Sequence, residues 1–240
     1  IKKNKIGILG LGYVGLPLFV EFSKHMQVIG FDINKKRIED LNNHYDTNLD
    51  ITKSQLKNVN NSIFTNKKDA LSDCNIYIIT VPTPIDEFDK PNLSPLINAT
   101  EIVANLLKKN DVVIYESTVY PGATEEVCVP LLEESSRLKF NKDFFIGYSP
   151  ERINPGDKSM KLNNIKKVVS GSTKEAATFI QDLYDLIILE GTFLAKDIKT
   201  AEASKVIENI QRDVNIALVN ELAVIFNKMN IDTLEVLAAA

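Results

Sequence analysis

At 240 residues the chain is longer than a usual single domain and shorter than two full ones, so one large domain plus part of another is expected. A hydrophobic fraction of 44% with 25% charged residues belongs to an ordinary globular protein, and no apolar run reaches the length that crosses a bilayer. A net charge of −4 removes the electrostatic ground for nucleic acid or an anionic membrane as partner, and Cys74 and Cys128, lacking any ligand spacing, read as two reduced structural thiols.

The basic start, residues 1–5, leads into a glycine-containing apolar strand rather than a signal-peptide core, which points to a cytoplasmic location. That strand, residues 5–9, runs into Gly10-Leu-Gly12-Tyr13-Val14-Gly15, and Leu16, Leu18, Phe19, Val20 and Phe22 then follow with the spacing of a buried helical face. Strand, glycine turn and helix in this order are what dinucleotide binding requires. Gly10 permits the tight turn, Gly12 lets backbone approach a pyrophosphate, and Gly15 lets the helix lie against the strand. A second strand over 27–32 ends in Asp32, 22 positions beyond Gly10. A carboxylate there accepts the adenosine ribose hydroxyls and repels a 2′-phosphate, which favours NAD over NADP; Lys35, Lys36 and Arg37 soften that preference.

A capped helix is expected over 34–41, then a polar excursion with a short helix to residue 61, a third strand at 62–65 and a fourth at 75–81. The fourth ends in Pro82-Thr83-Pro84, a stiff loop at the edge where open α/β sheets bind ligands. Ser94 opens a predicted helix through Lys108. A fifth strand over 111–118 ends in a hydroxyl pair, and a sixth over 143–147 runs into Tyr148-Ser-Pro-Glu151. Three strands thus deliver Thr83, Thr118 and Glu151 to one sheet edge. A strand at 167–170, a helix at 174–186 and further strand character at 187–194 continue the layering. From Asp197 the apolar residues recur at helical intervals with no glycine or proline to Ala240. A helix of some thirty residues, about 45 Å long, could support a second domain or pair with its twin.

Lys205 and Asn209 lie four apart on that helix and share a face, with Arg212 and Asp213 about a turn further. Spacing alone reads this as a solvated charged face. Glu151, after a serine and a proline at a strand end, suits a general base and equally a solvated loop acid. Thr118 is by itself a strand-end hydroxyl. His25 and His44 have no partners at catalytic or ligand spacing, and no metal is expected.

The sequence resembles the UDP-glucose/GDP-mannose dehydrogenase family, NAD-dependent enzymes that oxidise a sugar C6 alcohol twice to a carboxylate. The matching stretches are Gly10-Leu-Gly-Tyr-Val-Gly-Leu-Pro17, Val81-Pro-Thr-Pro84, Glu116-Ser-Thr-Val119, Ser149-Pro-Glu151 and Ala201-Glu-Ala-Ser-Lys-Val-Ile-Glu-Asn209. They span nearly the whole chain in the correct order. Residues 148–156 and 208–217 look most like the branch that acts on UDP-N-acetylhexosamines and makes uronic acids for bacterial surface polysaccharides. The resemblance implies an α/β fold, a Rossmann-type doubly wound, mainly parallel sheet over residues 1–200, followed by a long central helix in 201–240. That helix would lead to a missing C-terminal domain and, over 198–229, form a homodimer contact. It implies that Gly10, Gly12, Tyr13, Val14 and Gly15 hold the pyrophosphate of NAD, Asp32 and Arg37 the adenosine end, and Thr83 and Thr118 the region of the nicotinamide. Lys205 and Asn209 would stabilise oxyanions at C6, where a fixed ammonium and amide meet developing negative charge without reorganisation. Glu151 would be the acid/base group working with a water, and Arg152, Asn154 and Arg212 would join Glu151, Lys205 and Asn209 in binding the UDP-sugar.

Two departures stand against the family pattern. Many members carry a second glutamate four residues after the counterpart of Glu151, where this chain has Pro155. The family nucleophile is a cysteine in a Gly-Gly-x-Cys motif beyond the long helix, and neither Cys74 nor Cys128 lies in such a motif. The chain is therefore expected to be truncated, able to bind NAD and unable by itself to complete the oxidation. Other readings stay open: a UDP-glucose or UDP-N-acetylmannosamine 6-dehydrogenase, a two-electron β-hydroxyacid dehydrogenase using a helix lysine as base, or a non-enzymatic dinucleotide-binding or oligomerisation module.

Overall fold

Strands buried at consecutive positions shape the centre of the molecule. In the computed structural model, which describes residues 4–59, 61–88, 90–152 and 165–240, the strands are β1 (Lys5–Leu9), β2 (Gln27–Phe31), β3 (Ile63–Thr65), β4 (Ile76–Ile79), β5 (Val112–Tyr115), β6 (Phe145–Tyr148), β7 (Lys167–Gly171) and β8 (Thr192–Leu194). They form one sheet in the order β3-β2-β1-β4-β5-β6-β7-β8. Every neighbouring pair is parallel except β6 and β7. Ile8, Ile78 and Ile114 stand side by side in the parallel register and enter the core on one face, whereas Leu9, Ile79 and Tyr115 enter the core on the other. A sheet covered on both faces needs apolar residues at consecutive positions, which is why β4 and β5 are continuous apolar runs.

The helices are α1 (Gly15–Ser23), α2 (Lys35–Asn42), α3 (Lys53–Lys57), α4 (Ser94–Ala104), α5 (Val129–Ser136), α6 (Lys174–Asp185), α7 (Ile198–Lys228) and α8 (Thr233–Ala239). Several begin on side-chain caps: Asn34 accepts from the N–H groups of Lys36 and Arg37, Thr52 and Gln55 form a capping box, and Thr173 accepts from Ala176 N–H. Ser94 opens α4 as expected, as its first helical residue, with its N–H bonding to Asn92 Oδ1 at 2.9 Å. One expectation needs correction: the helix ends at Ala104 instead of Lys108, because Asp111 Oδ2 takes the Lys108 N–H at 2.8 Å and turns the chain toward β5. The π-helical turn Thr124–Cys128 and α5 were not anticipated. Both cysteines are free and buried; burial pushes the Cys74 thiol up to about 12 and the Cys128 thiol up to about 11, so they are unreactive core residues.

The chain divides into two compact units, residues 1–202 and 203–240. In the first, the start of α7 is anchored through buried Ile198, Ala201 and Glu202. The Glu202 carboxylate accepts the N–H groups of Gly122 and Thr124, the latter at 3.0 Å, and so caps the segment that enters the π turn. The second unit contains the rest of α7 and α8, with Asp232 capping α8. Ile207, Ile210, Val214, Leu218, Val224 and Ile225 are exposed there. Among the described residues no helix is long and apolar enough to cross a membrane, and no group of three His, Cys, Asp or Glu is placed to hold a metal ion.

Candidate active site

The strand order reverses beside β1: β2 and β3 lie on one side, β4 to β6 on the other. Ligands of open α/β sheets bind at the carboxyl ends of the strands where this reversal occurs. The glycine turn is built there by three different constraints. Gly10 has a φ of +96° and a Cβ on it would stand 3.0 Å from the Thr80 carbonyl oxygen. A Cβ on Gly15 would lie 1.9 Å from the Gly10 carbonyl oxygen, so helix and turn can close only on a glycine. Gly12 is different, since a Cβ there would meet nothing within 4 Å. Its missing side chain leaves open space at the start of α1, whose N-cap Val14 makes no side-chain cap. That space and the first-turn N–H groups suit a pyrophosphate. Thr80, which carried no sequence motif, locks the turn by donating its hydroxyl to the carbonyl of Gly10 at 2.7 Å.

Asp32 follows β2 and accepts the N–H of Leu11 at 2.8 Å and that of Asn34 at 2.8 Å. It therefore ties the glycine turn to the α2 cap. Arg37 is buried. Its Nε donates to the Leu11 carbonyl at 2.9 Å, and Nη1 donates to Asp46 Oδ1 at 2.7 Å and Thr47 Oγ1 at 2.9 Å. Nη2 is buried without a hydrogen-bond partner among the described residues. An open cradle at Gly12 and a surplus guanidinium donor both fit a dinucleotide.

The loops after β4 and β5 are laced together. Thr83 donates its hydroxyl to the Thr118 carbonyl at 2.7 Å, and Ser117 donates to the Val81 carbonyl at 2.6 Å. Thr83 and Thr118 thus meet. Glu151, beyond β6, is 6% exposed. Its Oε1 accepts the Arg152 N–H at 2.6 Å, and its Oε2 lies 3.3 Å from Lys167 Nζ. It is a buried, paired carboxylate rather than a solvated loop acid. Burial raises the Tyr13 phenol, and the Glu151 charge adds to this, which places the glycine turn within electrostatic reach of Glu151.

Lys167 also bonds Glu116 Oε2 at 2.8 Å, and Tyr184 donates its hydroxyl to Glu116 Oε1. Burial raises the Glu116 carboxyl, with Lys167 opposing and Glu151 adding to the rise. Burial pulls the Lys167 ammonium down, yet the two carboxylates outweigh it and the net shift is upward. The two partners move up for different reasons: burial lifts the acid, and the two carboxylates lift the base. The pairing of Glu116 with Lys167 escaped sequence reasoning: Glu116 entered only as the start of a matching stretch and Lys167 as a strand residue, and they lie 51 positions apart.

In the second unit, Lys205 is 3.6 Å from Glu208, which also pairs with Arg212, so a carboxylate stands between the two cations along α7. Asn209 is exposed on the same helix. Asn154, like Pro155, lies outside the described residues.

An open, mainly parallel sheet that reverses beside a glycine-lined turn defines a Rossmann-type dinucleotide-binding domain. Residues 4–188 match the UDP-glucose/GDP-mannose dehydrogenase family, NAD binding domain, and residues 199–240 match the family's central domain. The chain is 58% identical over 240 residues to UDP-N-acetyl-D-glucosamine 6-dehydrogenase of Salmonella typhi, covering 100% of this chain and 56% of that protein. It is 54% identical to Protein CapL of Staphylococcus aureus, covering 99% of this chain and 56% of that one. The solved UDP-D-ManNAc dehydrogenase from Pyrococcus horikoshii superposes with a TM-score of 0.90 at 33% identity, over 98% of this chain and 57% of the other. The chain belongs to the UDP-glucose/GDP-mannose dehydrogenase family and carries its NAD-binding domain. It spans little more than half the length of the relatives it matches.

Proposed function

We propose that the protein containing this chain is an NAD-dependent 6-dehydrogenase that oxidises the C6 alcohol of a UDP-N-acetylhexosamine twice, to the uronate, for surface-polysaccharide synthesis. The observation that carries the reading is 58% identity along the entire chain to a UDP-N-acetyl-D-glucosamine 6-dehydrogenase, against 33% to the N-acetylmannosamine enzyme. When bound, NAD supplies the hydride acceptor. Gly10, Gly12, Tyr13, Val14 and Gly15 bind its pyrophosphate, Asp32 and Arg37 orient its adenosine end, and Thr83 and Thr118 border its reactive end. The joined loops of Thr83 and Thr118 support that role, because a rigid edge positions a cofactor without reorganisation. Glu151 holds or releases a proton through a water. Lys205 and Asn209 meet the negative oxygen that develops at C6, and Arg152, Asn154 and Arg212 help hold the UDP-sugar.

The helix over 198–229 forms the contact of a homodimer in this reading. Its support is the set of exposed apolar residues that recur along the second unit's part of α7. The function is tested by NADH yield per sugar with the full-length protein on UDP-N-acetylglucosamine, UDP-N-acetylgalactosamine and UDP-glucose. Two NADH per N-acetylhexosamine is the expected result. One NADH per sugar would replace the reading with a two-electron alcohol dehydrogenase.

A further inference from the structure

The antiparallel pairing of β7 with β6 has a chemical consequence. Because β7 runs against β6, with Tyr148 opposite Ser170, its first residue lies at the carboxyl edge to which the parallel strands deliver their loops. That first residue is Lys167. Its side chain is 4% exposed, and Nζ has an acceptor for each of its three N–H bonds: Glu116 Oε2 at 2.8 Å, Glu151 Oε2 at 3.3 Å and the Pro150 carbonyl at 3.4 Å. The Tyr184 ring packs 5.6 Å from Nζ, and Ser149 fastens the loop by donating to the Val168 carbonyl at 2.7 Å.

We propose that Lys167 is a positioning residue for Glu151, fixing the orientation of that carboxylate, with Glu116 as the second anchor that keeps the lysine in place when Glu151 carries a proton. A buried ammonium paired with one carboxylate alone would lose its counter-charge each time that carboxylate was protonated, and would then move or deprotonate. Glu116 prevents this. Its other oxygen is held by the Tyr184 hydroxyl, so it is fixed independently of Glu151. The groups facing Lys167 are Glu116 after β5, Glu151 and the Pro150 carbonyl after β6, and Tyr184 from α6. The upward shift of the Lys167 ammonium agrees with a lysine that stays charged throughout.

The inference rests on Glu151 being the acid/base group, and the experiment separates the two. In the full-length protein, turnover on UDP-N-acetylglucosamine, NADH affinity and thermal midpoint are measured for E151Q, K167M, E151Q/K167M and E116Q/K167M. E151Q and K167M are each expected to lower kcat by about a hundredfold, the usual scale of a positioned acid/base group, while NADH affinity changes less than about threefold. The E151Q/K167M double variant should be no slower than E151Q, since the lysine acts through that carboxylate. E116Q/K167M removes one charge of each sign, so it should regain the thermal midpoint and stay slow. Recovery of wild-type turnover in E116Q/K167M would overturn the inference and leave Lys167 a structural counter-ion. Multiplying losses in E151Q/K167M would overturn it as well. Wild-type turnover in E151Q would instead sink the acid/base reading of Glu151, and the lysine's role with it.

Discussion

Gly12 and Gly15 are three positions apart and look alike in the motif, yet the space around them differs completely. Alanine at Gly15 would drive a methyl to 1.9 Å from the Gly10 carbonyl oxygen and 2.5 Å from Thr80 Oγ1, so G15A must separate helix from strand. We expect it to cost about 3 kcal/mol or more in urea unfolding, the range of severe backbone and overpacking changes. At Gly12 the same methyl meets no protein atom. G12A should therefore keep its stability to within about 1 kcal/mol, because alanine fits and restricts the unfolded chain, while NADH affinity falls at least about tenfold as the methyl occupies the phosphate's place. Fluorescence titration beside urea melts checks both. Equal NADH affinity in G12A would remove Gly12 from the cofactor site. Both glycines and their division of roles, Gly12 for the ligand and Gly15 for the fold, were legible because the motif is local. What the motif does not record is Thr80, which follows another strand and adds its hydroxyl to the Gly10 carbonyl in crowding Gly15.

At the scale of elements, the start of α7 is held by one carboxylate. Glu202 has no exposed surface and accepts two backbone N–H groups, from Gly122 and Thr124. E202A would leave both donors buried without an acceptor, at a cost of about 2–4 kcal/mol. E202Q retains one acceptor oxygen and should lose about half as much. Urea unfolding of the two variants measures the difference, and an E202A variant as stable as wild type would show that water replaces the cap. The sequence placed most elements within a few residues, since strand runs and capped helices are set by neighbours. The helix over 124–136 was missed, however. Its apolar residues crowd into one run over 127–132 with Pro130 among them, so the π turn and α5 are held by packing against α4 and by Glu202 rather than by a helical period.

For the whole molecule, the second unit has apolar side chains recurring near a three-to-four-residue interval, with Val214 and Leu218 58% and 56% exposed. A surface of this kind invites burial, and each such side chain contributes about 1.5–3 kcal/mol when covered. In the dimer reading, V214D/L218D in the full-length protein should halve the mass measured by light scattering at micromolar concentration while leaving the NADH affinity of the first unit unchanged. An unaltered dimer mass would move the contact elsewhere.

The strand–glycine–helix start, the acid at position 32, the α/β layering and the long helix α7 were determined by the sequence itself. All of them arise from residues within one or two turns or strands of each other, where spacing sets geometry. The tertiary structure alone decided that Thr83 meets Thr118, that Asp32 braces the turn at Leu11, and that Arg37 is anchored to Asp46 with one donor left over. It also decided that Glu151 is not a solvated acid but shares Lys167 with Glu116. These groups lie 16 and 51 positions from the lysine, and only the reversal of β7 against β6 brings them together. No local period records such a reversal, because the pairing partner of a short apolar strand is chosen by the whole sheet.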